Sequence, residues 1–337
     1  MHVNVKRGLI SLASLALVAS ATTTPVLAQD DVEQVGEVNT EGLSLDGKTV
    51  GVAVIGTDHY WDRSAFNNLV EQLEELGAEV VTVDAGRDDQ KHVAGLENLL
   101  AQSPDAIVNI LGTATVIDPV FQKISEAGIP LFAVDTASDF VINNTTSDNT
   151  ALGMELAEQL VADIGEAGNI AVFNGFYGIH VCALRYDALT AVLENYPDVQ
   201  ILQPELQDVI PNTQEDARKK IQDLLQKYPE GEMSAVWACW DIPGLGTNLA
   251  IVDAGRQGDV GFYGVDGDPT VLEVMAQPDQ AIKAIASQQP GLIGRISGMN
   301  VGRYFAEEEL PETTLVPAFL TLPDNVNEVR QMLGQIE

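Results

Sequence analysis

Thr49-Val50-Gly51-Val52-Ala53-Val54-Ile55 is followed, after three residues, by His59-Tyr60-Trp61-Asp62 and a stretch to Leu76 in which Ala65, Phe66, Leu69, Leu73 and Leu76 recur at helical spacing. The first run is continuously apolar, as a strand covered on both faces must be. The second is an amphipathic helix over 62–76, and Gly77 stops it. Strand, loop and helix together make the repeating unit of a parallel sheet. The same formula returns in strand 79–84 with helix 90–102, strand 106–111 with helix 119–127, and strand 131–134. A second series begins after Asn149: helix 151–164, strand 170–175, helix 183–195, strand 200–204 and helix 214–228. Strand 235–238, helix 244–254 and strands 260–265 and 281–286 follow. Strands this apolar require helices above and below, so the chain is read as α/β with parallel sheets. Its length suits two lobes of ordinary domain size rather than one core.

Residues 1–28 have the three parts of an export leader: Lys6 and Arg7, an apolar run from Leu9 to Val18, and Val26-Leu27-Ala28 before Gln29-Asp30-Asp31. Cleavage is expected after Ala28. No later stretch reaches the roughly 20 apolar residues needed to span a bilayer, and no cysteine near the cleavage point offers a lipid anchor. These features predict a free periplasmic protein. Residues 29–46 are acidic and without pattern, and are expected to form a flexible lead-in. The chain carries 17 Lys+Arg against 50 Asp+Glu; the leader holds two of the basic residues and no acidic ones, so the mature net charge is 15 − 50 = −35. Such a surface repels nucleic acid and anionic lipid. With 45% hydrophobic residues the chain is not disordered. The acidity reads as solvation of a folded surface in a saline medium, or as an ordinary exported protein with an acidic excess. An exported α/β protein meets little soluble nucleotide, so no cofactor is expected.

In parallel α/β sheets ligands bind beyond the carboxyl ends of the strands. The residues found there are His59 to Asp62, Asn109 to Thr113, Asp135-Thr136, Phe176 to Arg185, Cys239-Trp240-Asp241 and Asp266. Aromatic faces suit the C–H surface of a sugar ring, and carboxylate and guanidinium groups suit adjacent hydroxyls. That combination points to a carbohydrate site.

Several segments carry a specific resemblance: Gly51 to Ile55 before an aromatic loop, Pro130 to Asp135, Thr146-Ser147-Asp148-Asn149 with Gly153, and Arg185 at a helix start. Trp240-Asp241 with Gly246, Gly264 to Gly267, and Ile285 to Pro290 complete the set. In this order and spacing the chain resembles the ribose- and galactose-type periplasmic binding proteins, the exported receptors of ABC sugar importers, from Lys48 to about Asn325. The resemblance implies two doubly wound lobes joined by a three-crossover hinge near Thr146, Gln288 and Val316. The lobes would comprise residues 47–146 with 289–316 and residues 147–288 with 317–330. A monomer would clamp a monosaccharide or sugar alcohol between them and deliver it to an inner-membrane permease. Tyr60 and Trp61 inherit the stacking role, and Asp135, Arg185, Asp266 and Gln288 the contacts to hydroxyls. Thr136 stands where the family often has arginine, and Trp240 where it often has asparagine, which implies more stacking and fewer hydroxyl contacts from the second lobe. His59, Asp62, Asn212 and Asp241 are further candidate contacts; Asp241 alternatively organises its own loop.

Cys182 follows the first strand of the second lobe and Cys239 ends the third, which are neighbours in a strand order beginning 2-1-3. A disulfide and two separate buried thiols are both open. HExxH, CxxC and GxSxG motifs are missing from the sequence, and its four histidines show no metal-site spacing. Gly244-Leu245-Gly246 lacks the third glycine of a dinucleotide fingerprint and reads as a helix start. A sensory subunit presenting the closed complex to a histidine kinase or chemoreceptor is the second reading, and a secreted carbohydrate-active enzyme a distant third.

Overall fold

The strand-helix units assemble into two separate sheets in the computed structural model, which describes residues 32–337. The expected leader, 1–28, lies outside the described residues. In one sheet the order is β1-β12-β6-β5-β4-β2-β3, all parallel, from β1 (Val32–Gln34), β2 (Thr49–Val54), β3 (Glu79–Asp84), β4 (Ala106–Ile110), β5 (Leu131–Val134), β6 (Asn143–Thr146) and β12 (Thr313–Leu315). The other runs β13-β11-β10-β9-β7-β8, from β7 (Gly168–Phe173), β8 (Val199–Ile201), β9 (Ala235–Ala238), β10 (Gly261–Asp266), β11 (Ile282–Ser287) and β13 (Phe319–Thr321). Only its edge strand β13 is antiparallel, against β11.

The helices are α1 (Tyr60–Glu75), α2 (Asp89–Gln102), α3 (Ala114–Glu126), α4 (Asn149–Asp163), α5 (His180–Leu193), α6 (Thr213–Lys227), α7 (Ile242–Asp253), α8 (Pro269–Met275), α9 (Pro290–Phe305) and α10 (Val326–Met332). They sandwich each sheet, so that Val50, Val52 and Val54 pack into one core layer of the first sheet and Ala53 into the layer on its opposite face. The chain passes between the sheets at three places: from β6 to α4, from β11 to α9, and from β12 to β13. Helix pairs α1/α9 and α6/α7 approach closely through glycines. A Cβ on Gly294 would lie 2.2 Å from the Ala65 carbonyl oxygen, and one on Gly246 would lie 2.0 Å from that of Gln214.

Three features depart from the sequence expectations. Residues 32–46 are not a loose lead-in: β1 pairs with β12, and Leu45 is fully buried, its N–H donating to the Leu76 carbonyl at 2.7 Å. The partner strand lies some 280 residues away, so nothing local announces it. Helix α3 begins at Ala114 rather than at Pro119, because the buried stripe Ile117, Val120, Phe121 and Ile124 continues through the proline. Strand β6 was not anticipated, since Asn143-Asn144-Thr145-Thr146 is polar yet buried. Its polar groups are met internally: Asn143 Nδ2 donates to Thr314 Oγ1 at 2.9 Å, and Asn300 Nδ2 donates to Asn143 Oδ1 at 3.0 Å.

Candidate functional site

The carboxyl ends of both sheets face each other across a cavity of about 430 Å³. Four of its lining residues stand at strand ends, Arg87, Leu111 and Asp135 after β3, β4 and β5 and Asp266 as the last residue of β10, with φ of +63°, +55°, +54° and +123°. Non-glycine residues in this region are strained, and such strain gathers where side chains must be aimed at a ligand. The lobes touch around the cavity: the His59 ring meets Trp240 edge-on with centroids 5.2 Å apart, and Thr113 forms a backbone bridge with Ile179.

Of the residues singled out in the sequence, Trp61, Asp135, Arg185, Trp240, Asp266, His59 and Asp62 line this cavity. Four others do not. Successive side chains on a helix diverge by about 100°, so with Trp61 and Asp62 facing inward at the start of α1, Tyr60 turns toward Ser64 and Gln335. Gln288 is fully buried behind Arg185, whose Nη2 donates to its Oε1 at 2.7 Å. Asp241 ties its loop to the one after β10, its Oδ2 accepting from the Gly267 and Asp268 N–H groups at 2.9 and 2.7 Å. Asn212 is exposed at the start of α6. Sequence reasoning overlooked Arg87, Asp89 and Asp208, which also follow strands, at the far edge β3 and β8 of each sheet; the same strand-end rule applied to those strands would have found them.

Arg185, 2% exposed, is the hub of the polar end. Its Nε donates to Asn149 Oδ1 at 2.8 Å, its Nη1 to the Cys239 carbonyl at 2.7 Å and to Asp266 Oδ1 at 3.3 Å. Asn149 Nδ2 donates in turn to Thr146 Oγ1 at 3.0 Å, and that hydroxyl donates to Asp135 Oδ1. One network therefore joins both carboxylates to the crossovers at 146–149 and 287–290. Close packing of α4 on α5 seats the arginine, since a Cβ on Gly153 would lie 3.1 Å from the Arg185 Cα. At the other end Arg87 is held by Asp62 and by Asp58 Oδ1 at 2.9 Å. Cys182 and Cys239 form a disulfide, with Cα atoms 5.2 Å apart, and Cys182 contributes apolar lining.

Burial pushes Asp135 up to about 6 against the opposing pull of Arg185, and Asp266 up to about 7, again against Arg185. Asp241 is raised by burial and by Asp266 and Asp268. Burial and the Arg87 guanidinium depress His59 to about 3, so its imidazole is neutral. The folded protein thus holds the Asp135 and Asp266 protons more tightly than the unfolded chain, whose carboxyls titrate near 3.8. The associated stability is complete below that value and is lost as pH rises through about 6 and about 7. In the ligand-free protein, Asp266→Asn is expected to flatten the fall in melting temperature between about pH 4 and 7. An unchanged slope in calorimetric scans would contradict this assignment.

His59, Asp241 and Asp266 also bring potential metal-ligand atoms within 4.8 Å of one another. The fold assembles this set from three separate loops, so it was invisible as sequence spacing. Arg185 already engages Asp266, and two backbone N–H groups engage Asp241, which suits hydrogen bonding better than metal coordination. His59 Nε2 and Trp61 Nε1 are buried without a partner.

A family model described as periplasmic binding protein domain matches residues 50–309. An ABC transporter solute-binding protein from Agrobacterium vitis, solved with bound allitol, is 47% identical with a TM-score of 0.84, covering 86% of this chain and 100% of that one. An ABC sugar transporter subunit from Rhodobacter sphaeroides is 49% identical with a TM-score of 0.82, covering 84% and 100%. The galactofuranose-binding protein of Escherichia coli is 24% identical over 294 residues, 83% of this chain and 89% of its own. The chain belongs to the periplasmic binding protein family, among the type I sugar-binding proteins of ABC importers.

Proposed function

We propose that the protein is exported, captures a sugar alcohol or monosaccharide between its two lobes in the periplasm, and delivers it as a monomer to an inner-membrane ABC permease without altering it. The observation that carries this reading is the composition of the cavity: the aromatic side chains of Trp61, Phe176 and Trp240 together with the Asp135–Arg185–Asp266 cluster. Both lining guanidiniums are already tied to the protein's own carboxylates, which favours an uncharged, hydroxylated guest over a sugar acid or phosphate. The relative solved with allitol supports a polyol.

In this reading Trp61 and Trp240 stack on the carbon skeleton. Asp135, Arg185 and Asp266 hydrogen-bond its hydroxyls, His59 Nε2 and Trp61 Nε1 find partners in it, and Gln288 holds Arg185. The hinge consists of the three passages near 146, 288 and 316, with lobes of residues 47–146 plus 289–316 and 147–288 plus 317–330. The added edge strand Val32–Gln34 belongs with the first lobe. A thermal-shift screen against polyols and monosaccharides tests the proposal. At about a hundredfold excess over the dissociation constant, a cognate ligand is expected to raise the melting temperature by about 5 °C or more. No shift with any of them would overturn it.

A further inference from the structure

The carboxylate of Asp208 has no role in the clamp described above, yet it is 6% exposed and lines the same cavity. It stands in the loop after β8, where its Oδ1 accepts the Gly175 N–H at 2.6 Å and its Oδ2 accepts the Trp240 Nε1–H. The approach depends on Gly175 having no side chain: a Cβ there would lie 2.3 Å from Asp208 Oδ1. Trp240 is in turn held edge-on by Phe176, centroids 5.5 Å apart, and by His59 from the other lobe. The indole is therefore fixed at its one polar atom and by two edge-on aromatic contacts, from three different loops. Its N–H is consumed by the protein, so toward the cavity it presents carbon alone, beside Phe176, Ile179 and Ile210.

We propose that Asp208 is a positioning residue for the binding of the guest: by taking the Trp240 N–H it sets the pose of the indole and makes this wall a surface for C–H groups rather than hydroxyls. The inference rests on the polyol reading of the cavity. An isolated structural carboxylate would be an expensive way to hold a loop, because burial raises the Asp208 proton affinity against the two bonds it accepts. Removing the carboxylate frees a buried indole N–H that must then turn toward a new acceptor.

The test uses the full mature protein and two readouts. Indole 15N–1H spectra of the ligand-free protein should show the Trp240 N–H as a slowly exchanging signal, weakened in Asp208→Asn, whose single amide oxygen can serve the indole or the Gly175 N–H but not both, and lost in Asp208→Leu. Calorimetry with allitol should show about a tenfold weakening in Asp208→Leu, the scale of coupling within one hydrogen-bond network, and a smaller one in Asp208→Asn. In a Trp240→Phe background, where the indole donor is missing, Asp208→Leu should add little further loss. A Trp240 signal unchanged in Asp208→Leu, or a loss of affinity that persists in full in the Trp240→Phe background, would overturn the proposal. Failure of allitol to bind the parent protein would count against the polyol reading, and the spectra would still decide the placement of the indole.

Discussion

Arg185→Met is expected to be among the most damaging single substitutions in this protein. The guanidinium is buried, and its bonds to Asn149, the Cys239 carbonyl, Asp266 and Gln288 are spread over four segments of chain. Methionine fills much of the volume but removes the cation that holds the Asp266 proton affinity down, so the buried carboxyl must take up a proton, and Asn149, Gln288 and the Cys239 carbonyl lose their donor. Breaking a buried pair in this way costs about 3–5 kcal/mol, and urea denaturation of the ligand-free protein should register a loss of that order. Lysine should rescue little, because one ammonium cannot reproduce a planar fork aimed at acceptors in several directions. Adding Asp266→Asn to Arg185→Met should recover part of the stability, since no carboxyl then has to be kept protonated in the buried site, while polyol binding stays lost. Stability of Arg185→Met within about 1 kcal/mol of the parent would show that the network carries no such weight.

The repeating alternation of strand and helix was legible because it depends on local pattern: apolar runs such as 50–54 and 131–134 are buried on both faces whatever they pack against. Legibility fails where an element depends on distant partners. Strand β6 is read as loop on composition, and only the contacts with Asn300 and Thr314 make its asparagines suitable for a core. The site divides in the same way. Asp135 directly follows β5, Asp266 ends β10 and Trp61 opens the helix after β2, so the strand-end rule reaches them. Tyr60 fails because the rule gives a location and no direction, and the phase of α1 turns it away from the cavity. Asp241 and Gln288 occupy matching positions but serve the loop and the arginine rather than the cavity wall. The strand-end rule reaches the location of Asp208, but its partnership with Gly175 and Trp240 arises only when the fold brings them beside it.

Trp61→Ala should fail in two measurable ways, and their ratio discriminates between a wall of the cavity and a piece of the core. The side chain is 3% exposed and packs into the buried cluster of the first lobe with Ala65 and Leu69, yet it also lines the cavity. Deleting a buried tryptophan to alanine costs about 3–5 kcal/mol of stability. As a central aromatic anchor it should also carry about 2 kcal/mol or more of binding, roughly a thirtyfold weakening. Trp61→Phe separates the two. Phenylalanine retains an aromatic body for the core, so most of the stability should remain. It is smaller and lacks the indole N–H, which has no partner among the described residues. Affinity for a polyol should therefore drop in Trp61→Phe by a larger factor than stability does. If both variants lose stability and bind as the parent does, Trp61 belongs to the core alone and the guest must lie against Phe176 and Trp240 on the opposite lobe.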